Sequence, residues 1–249
     1  MSGDDAPALQ VRGLHKRYGG VVALREVSFD VTAGELVALV GPNGSGKSTA
    51  VDCITGFTTP TSGRILVNGR RPRTPQRLAW QGVARTFQSV RVFQSLSVRD
   101  NVLLGSFANS RNPLAAYLAR PGSGAQRRAD EIIDEFELAR VAHMRAGEVS
   151  YGQRKLVEFA AAVMRNPSTL LLDEPVAAVN PTLAKVVREN ILRFNERGMS
   201  ILLIEHNMEF VVQTCPRVIV LDQGAILADG PAAEVMGRDD VREAYFGRV

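Results

Sequence analysis

The chain has 249 residues, 45% of them hydrophobic and 22% charged, with a net charge of +4, a composition that allows one domain with a core large enough to need no disulfide staples. No apolar run approaches the length of a membrane span, and Met1 to Pro7 is short, polar and acidic rather than a signal peptide, so any membrane role is expected to come through a partner. The arginines are scattered, and the local pairs Arg70-Arg71 and Arg127-Arg128 are too short for a basic tract, which argues against a nucleic-acid partner.

Residues 9–40 read as strands. Val21 to Val31 is rich in β-branched residues, Thr32-Ala33-Gly34 reads as a turn, and Leu36 to Val40 is a short apolar run suited to a buried strand. It leads into a glycine-rich segment, with a helix expected from about Gly46. Ile65 to Val67 reads as a strand closed by Asn68-Gly69, a strong turn signal. From Arg99 to Gly147 strand signals fade. Asp100 to Phe107 and Gln126 to Leu138 read as helices, interrupted at Pro113, Pro121 and Gly122 to Gly124. A helical lobe over roughly residues 99–165 is therefore expected, inserted in a single domain spanning 1–249. Tyr151 to Arg165 is amphipathic, with Leu156, Phe159, Ala160, Val163 and Met164 on one face, and Asn166-Pro167 stops it. Strand Thr169 to Asp173 follows. Asn180 caps a helix with Pro181 at its first position, and Gly198 ends it. Ser200 to Ile204 is a strand, Val218 to Asp222 with Ala225 to Ala228 a hairpin, and Pro231 to Phe246 mostly helical. Strands alternating with helices after an opening run of strands imply an α/β core with a β-rich flank. Cys53 and Cys215 sit in apolar surroundings and are expected as buried free thiols.

The chemistry begins with Gly41, Pro42, Asn43, Gly44, Ser45, Gly46, Lys47 and Ser48, which have the form G-x-x-x-x-G-K-S. Glycines let the backbone fold tightly so that several N–H groups point at one anion, and the helix N-terminus adds partial positive charge. Lys47 is expected to reach the β- and γ-phosphates of a nucleotide and Ser48 to bind Mg²⁺. A chance glycine turn would not carry Lys and Ser in this register between a strand and a helix. Asp173 and Glu174 end the apolar run Leu170 to Leu172. That strand is expected beside the one feeding the glycine loop, with Asp173 a ligand for Mg²⁺ and Glu174 a general base for the attacking water. Acids capping a strand are common by themselves; here the chain already needs a metal ligand. His206 follows a strand and is expected near the γ-phosphate, and Gln88 offers a neutral amide to Mg²⁺ or water. Taken alone, either would be unremarkable. Val149-Ser150-Tyr151-Gly152-Gln153 opens a helix and forms a second phosphate-binding corner, for which one active site has no room.

In this order the motifs resemble the ATPase subunit of an ATP-binding cassette (ABC) transporter, over roughly Leu9 to Gly247. Gly41 to Thr49 match Walker A, Leu170 to Glu174 Walker B, Gln88 the Q-loop and His206 the switch histidine. Tyr18 matches the residue that stacks on adenine, and Ala177 to Asn180 lie where the D-loop should be. The resemblance implies a P-loop NTPase fold with a mixed β core, an N-terminal antiparallel β flank and an inserted helical subdomain. It also implies ATP and Mg²⁺ as ligands and a head-to-tail dimer with a second, identical or homologous, ATPase. In that dimer Ser150, Gly152 and Gln153 bind the γ-phosphate of the ATP held by the other subunit. Transmembrane permease subunits and, indirectly, a solute-binding protein are implied partners, at the cytoplasmic face of the membrane. Two positions depart from the commonest pattern: Val149 and Tyr151 replace Leu and Gly in L-S-G-G-Q, and Val179-Asn180 replaces Leu-Asp. Tyr151 and Asn180, with Val83 to Gln88, Ile204 to Met208 and Val241 to Gly247, resemble the ATPases of branched-chain amino acid importers. Uptake of such amino acids, or of a related amide or urea, is therefore expected. The alternatives are the ATPase of a lipid or lipopolysaccharide exporter, a soluble nucleic-acid- or ribosome-associated cassette, and a regulatory cassette without turnover. A single Walker A with no long heptad run disfavours the soluble cassette, and Glu174 with His206 disfavours the regulatory one.

Overall fold

Strands and helices alternate along the computed structural model, which describes residues 7–71, 74–109 and 121–246. In chain order they are β1 (Pro7–Tyr18), β2 (Val21–Thr32), β3 (Leu36–Val40), α1 (Lys47–Ile54), β4 (Ser62–Val67), α2 (Pro75–Trp80), β5 (Val83–Arg85), α3 (Val98–Leu104), α4 (Ser123–Glu135), α5 (Tyr151–Val163), β6 (Thr169–Asp173), α6 (Pro181–Glu196), β7 (Ser200–Ile204), α7 (Met208–Thr214), β8 (Arg217–Asp222), β9 (Ala225–Pro231), α8 (Ala232–Val235) and α9 (Asp239–Phe246). They divide into two units. One holds the described residues up to Gln81 and from Asn195 onward; the other is Gly82–Phe194.

In the first unit β1 pairs antiparallel with β2 on one side and β4 on the other. A second group has β3 at its centre, parallel to β7 and to β8, with β9 antiparallel to β8. All five residues of β3 are buried, as are all five of β7, which is the uniformly apolar reading of strands covered on both faces. The turns follow the sequence signals. Asn68 and Gly69 both have positive φ, and Val67 and Arg70 exchange hydrogen bonds of 2.9 Å in each direction, as a two-residue hairpin loop requires. The Glu35 N–H donates to the Thr32 carbonyl at 3.1 Å, closing the expected turn. Cys53 and Cys215 are buried free thiols.

One expectation fails. Both edges of β3 are occupied, by β7 and β8, so the strand ending in Asp173 does not pair with the strand that feeds the glycine loop. Ser200–Ile204, as apolar as β6, takes that edge, and an apolar run by itself does not reveal which neighbour it will have.

In the second unit β5 pairs parallel with β6, with Val83 opposite Thr169. Helices α3, α4 and α5 all fall between these strands in chain order. Leu156, Phe159, Ala160, Val163 and Met164 are buried as the α5 periodicity predicts. The rings of Phe136, Phe159 and Phe194 meet at centroid distances of 4.9, 6.1 and 6.2 Å. That cluster joins the end of α4 to α5 and α6. Gly122 to Gly124 does not break a helix. Gly122 is the N-cap of α4, and Ser123 and Gly124 form its first turn. The expected interruption at Pro113 lies outside the described residues. Asn180 caps α6, its Oδ1 accepting from the Leu183 N–H at 2.9 Å, and Gly198, at φ 90°, follows its end. The short elements α2, β5 and α7 carry too few residues for a periodic signal.

Candidate functional site

In the first unit the glycine loop runs from the end of β3 into α1. The three loop glycines Gly41, Gly44 and Gly46 have φ of 150°, 82° and 106°, values that side chains with a Cβ rarely adopt. At two of them packing adds a second demand. A Cβ on Gly41 would lie 2.1 Å from the Leu221 carbonyl, and one on Gly46 would lie 2.7 Å from the Ala23 carbonyl. The loop thus presses against β2 and β8. Gly224, in the β8–β9 turn at φ 82°, braces it: its N–H donates to the Ser45 carbonyl at 3.0 Å and its carbonyl accepts from Arg25 at 2.7 Å.

Lys47 opens α1 and is buried, with Nζ donating to the carbonyls of Gly41 at 2.6 Å and Pro42 at 3.0 Å. Its ammonium is therefore folded back over the loop. Gly46 caps α1 without any side-chain hydrogen bond to the first-turn N–H groups, so those donors and the positive end of the helix can serve an anion. The Ser45 hydroxyl is buried with no hydrogen-bond partner among the described residues. Backbone N–H groups, an ammonium and hydroxyls make a donor-rich cradle, which fits a phosphate chain. Ser48 is exposed on the first turn of α1, and Thr49 follows it, half-buried. Tyr18 ends β1 with its ring half-exposed and the Lys16 ammonium 4.6 Å from the ring centroid.

His206 follows β7. Its side chain is 55% exposed, with Nδ1 3.8 Å from a carboxylate oxygen of the wholly buried Glu205. The same oxygen accepts from the His206 N–H at 3.0 Å and the Asn207 N–H at 3.3 Å. Asn207 then caps α7, accepting from the Phe210 N–H at 3.1 Å. A buried carboxylate thus fixes the backbone that presents the imidazole.

The second unit gathers the other candidates. Asp173, buried at the end of β6, pairs with Arg85 at 3.0 Å, and its N–H donates to the Thr86 hydroxyl at 3.1 Å. Glu174 has a φ of 48°, the left-handed region, a strained place for a residue with a Cβ. Its carboxylate accepts from the Gln88 amide at 3.1 Å, and its carbonyl accepts from the Lys155 ammonium. A half-buried carboxylate held at a strand end by a neutral amide can take a proton from water.

Helix α5 supplies the neighbours. Ser150 is its N-cap: the hydroxyl accepts from the Gln153 N–H at 3.2 Å, and Gln153 Oε1 accepts from the Ser150 N–H at 3.0 Å, a capping box. Gly152 is buried against α6, where a Cβ would lie 2.9 Å from Leu183 Cδ1. Tyr151 sits in the first helical position without positive φ, so a side chain here strains nothing. Its hydroxyl donates to the Gln88 carbonyl at 3.4 Å. One turn on, Lys155 is buried, and beyond it the buried Glu158 accepts from the N–H groups of Phe87 at 3.2 Å and Arg91 at 3.3 Å. Burial pushes the Glu158 carboxyl up to about 7, with the two N–H groups, Lys155 and Arg91 pulling the other way.

The sequence reading passed over Arg85, Lys155, Glu158, Glu205 and Gly224. All but Glu205, whose carboxylate turns onto the N–H groups of the next two residues, act through a partner distant in the chain. Only the polar interruption of an apolar helix face by Lys155 and Glu158 could have drawn attention.

Taken singly, the Ser48 hydroxyl in the first unit and the Gln88 amide and Asp173 carboxylate in the second each offer oxygen, the donor type that suits a hard divalent cation. Among the described residues no three His, Cys, Asp or Glu side chains are grouped to hold a metal unaided.

The profile of the family described as ABC transporter matches residues 24–177. The chain is 36% identical over 252 residues to the high-affinity branched-chain amino acid transport ATP-binding protein BraF of Pseudomonas aeruginosa, covering 98% of this chain and 99% of that one. The ADP conformation of MJ1267, an ATP-binding cassette of an ABC transporter, superposes with a TM-score of 0.86 at 31% identity, covering 98% of this chain and all of the other. A dimeric structure of MJ0796, a bacterial ABC transporter cassette, is similar at a TM-score of 0.79 and 25% identity, covering 90% and 98%.

Proposed function

The chain belongs to the ABC transporter family, as an ATP-binding and ATP-hydrolysing subunit, and on that premise we propose that it energises the uptake of branched-chain amino acids. Kinship carries the choice of solute: BraF, alike over nearly its whole length, bears that substrate in its name. Among the described residues no helix is long and apolar enough to cross a membrane. The subunit then works peripherally, at the cytoplasmic face, on transmembrane permease subunits that receive solute from a binding protein.

The glycine loop, Lys47 and the N-terminus of α1 hold the phosphates of ATP, and Tyr18 stacks on the adenine. Ser48, Asp173 and Gln88 hold Mg²⁺, which when bound neutralises charge on the β- and γ-phosphates. Glu174 takes the proton of the attacking water, and the Gln88 amide orients the carboxylate for it. His206 hydrogen-bonds the γ-phosphate from a backbone fixed by Glu205. Ser150, Gly152 and the positive end of α5 serve the ATP of a second cassette, so two chains complete two sites head to tail.

The observation that carries the hydrolytic reading is the Gln88–Glu174 hydrogen bond on a residue held in the left-handed region. Glu174→Gln tests it. Nucleotide binding should persist while turnover falls by roughly a hundredfold or more, the worth of a general base, and a closed dimer should accumulate with ATP. Turnover at the wild-type rate would remove Glu174 from the role. Recovery of the intact complex from membranes tests the assignment to transport; copurification with the membrane subunits of a lipid exporter would overturn the choice of solute.

A further inference from the structure

We propose that Glu158 is a positioning residue for ATP hydrolysis: it holds the backbone on both sides of Gln88 so that the Gln88 amide meets the Glu174 carboxylate. This rests on the reading of Gln88 and Glu174 given above. Residues 87–92 lie in no helix or strand, and the last backbone bond of the β5 edge is that of Thr86 to Leu171, so the position of Gln88 must be fixed from outside. One face of α5 supplies the fixing points. Tyr151, Lys155 and Glu158 are spaced four and three residues apart, which places them in one row along the helix. Tyr151 bonds the Gln88 carbonyl, Lys155 the Glu174 carbonyl, and Glu158 Oε1 the N–H groups of Phe87 and Arg91. The Glu158 bonds bracket Gln88 in sequence. The Arg91 guanidinium lies 3.8 Å from the centroid of the Phe87 ring, closing the bracket from the far side.

Burial makes Glu158 an expensive choice. Its neighbours Val157, Phe159 and Ala160 are all buried and apolar, and an apolar side chain would pack there without the cost of desolvating a carboxyl. What an apolar residue cannot do is accept two loop N–H groups on a single oxygen.

The test compares Glu158→Leu, Glu158→Gln, Gln88→Ala and the double variant Glu158→Leu/Gln88→Ala in the full-length chain, reading kcat and KM for ATP with Mg²⁺. The leucine variant should lower kcat by roughly tenfold to a hundredfold, as expected of a misplaced catalytic group, with KM unchanged, because the phosphates are held by the glycine loop. The glutamine variant, which keeps the Oε1 acceptor, should restore kcat to within about twofold of wild type. The double variant should turn over no more slowly than Gln88→Ala alone. A leucine variant with wild-type kcat, equal losses in the leucine and glutamine variants, or additive losses in the double variant would each overturn the inference while leaving Gln88 its role. Wild-type turnover in Gln88→Ala would remove the reading of Gln88 and this inference with it. Should leucine prevent folding, Glu158→Met replaces it, with amide exchange across residues 86–92 as a second readout. Exchange should quicken in the apolar variant and not in the glutamine variant; unchanged exchange in the apolar variant also overturns the assignment.

Discussion

Lys47 shows how a single residue can be legible in type and illegible in posture. The G-x-x-x-x-G-K-S spacing assigned its ammonium to phosphate, and the fold places it at the head of α1 over the loop. The sequence did not reveal that Nζ rests on the carbonyls of Gly41 and Pro42, which a phosphate must outcompete. Lys47→Ala should weaken ATP binding by roughly tenfold to a hundredfold, the worth of a charged hydrogen bond, measured by equilibrium binding of a fluorescent nucleotide. Unchanged affinity would remove the phosphate assignment. Residues that act through others left no comparable trace. Gly224 is an ordinary turn glycine until the fold brings the Ser45 carbonyl to it, and Glu205 an ordinary acid until burial turns its carboxylate back onto the His206 and Asn207 N–H groups.

At the scale of elements, length decided what could be read. α5, with its apolar stripe, and α6, with Asn180 and Pro181 at its start, were marked by periodicity and capping chemistry. β5, of three residues, was not. The register of β3 between β7 and β8 was also hidden, since three apolar five-residue strands offer equivalent edges. The packing of α4, α5 and α6 yields a stability prediction. Phe136 is fully buried and meets Phe159 edge to face at 4.9 Å. Phe136→Ala should destabilise the chain by about 3–5 kcal/mol, read from the denaturant midpoint. A loss below about 1 kcal/mol would mean that the surrounding rings close over the space.

For the whole molecule, the position of Ser150 matters most. Its hydroxyl and Gln153 cap α5 within the chain, and the proposed dimer sets that capped end against the phosphates of a second cassette. A tethered pair of copies can test the geometry. Lys47→Ala in one copy and Ser150→Arg in the other should disable the same composite site and leave one intact. Both changes in one copy should disable both sites. Single-turnover hydrolysis should therefore be greater in the split arrangement; equal rates in the two arrangements would exclude a head-to-tail site. None of this could be read from one chain's periodicity, because it depends on a surface that only a second chain completes.

Both native thiols are poor nucleophiles as long as the fold is intact. Cys53 and Cys215 are 2% exposed, and burial pushes their ionisation up to about 11 and about 12, leaving little reactive thiolate at neutral pH. A cysteine introduced on the surface can therefore be modified selectively without first deleting the natural pair. Fluorophores can then be attached at chosen points on a wild-type background to follow the approach of two cassettes in real time. Slow modification of the native pair in the same sample would count the molecules that open.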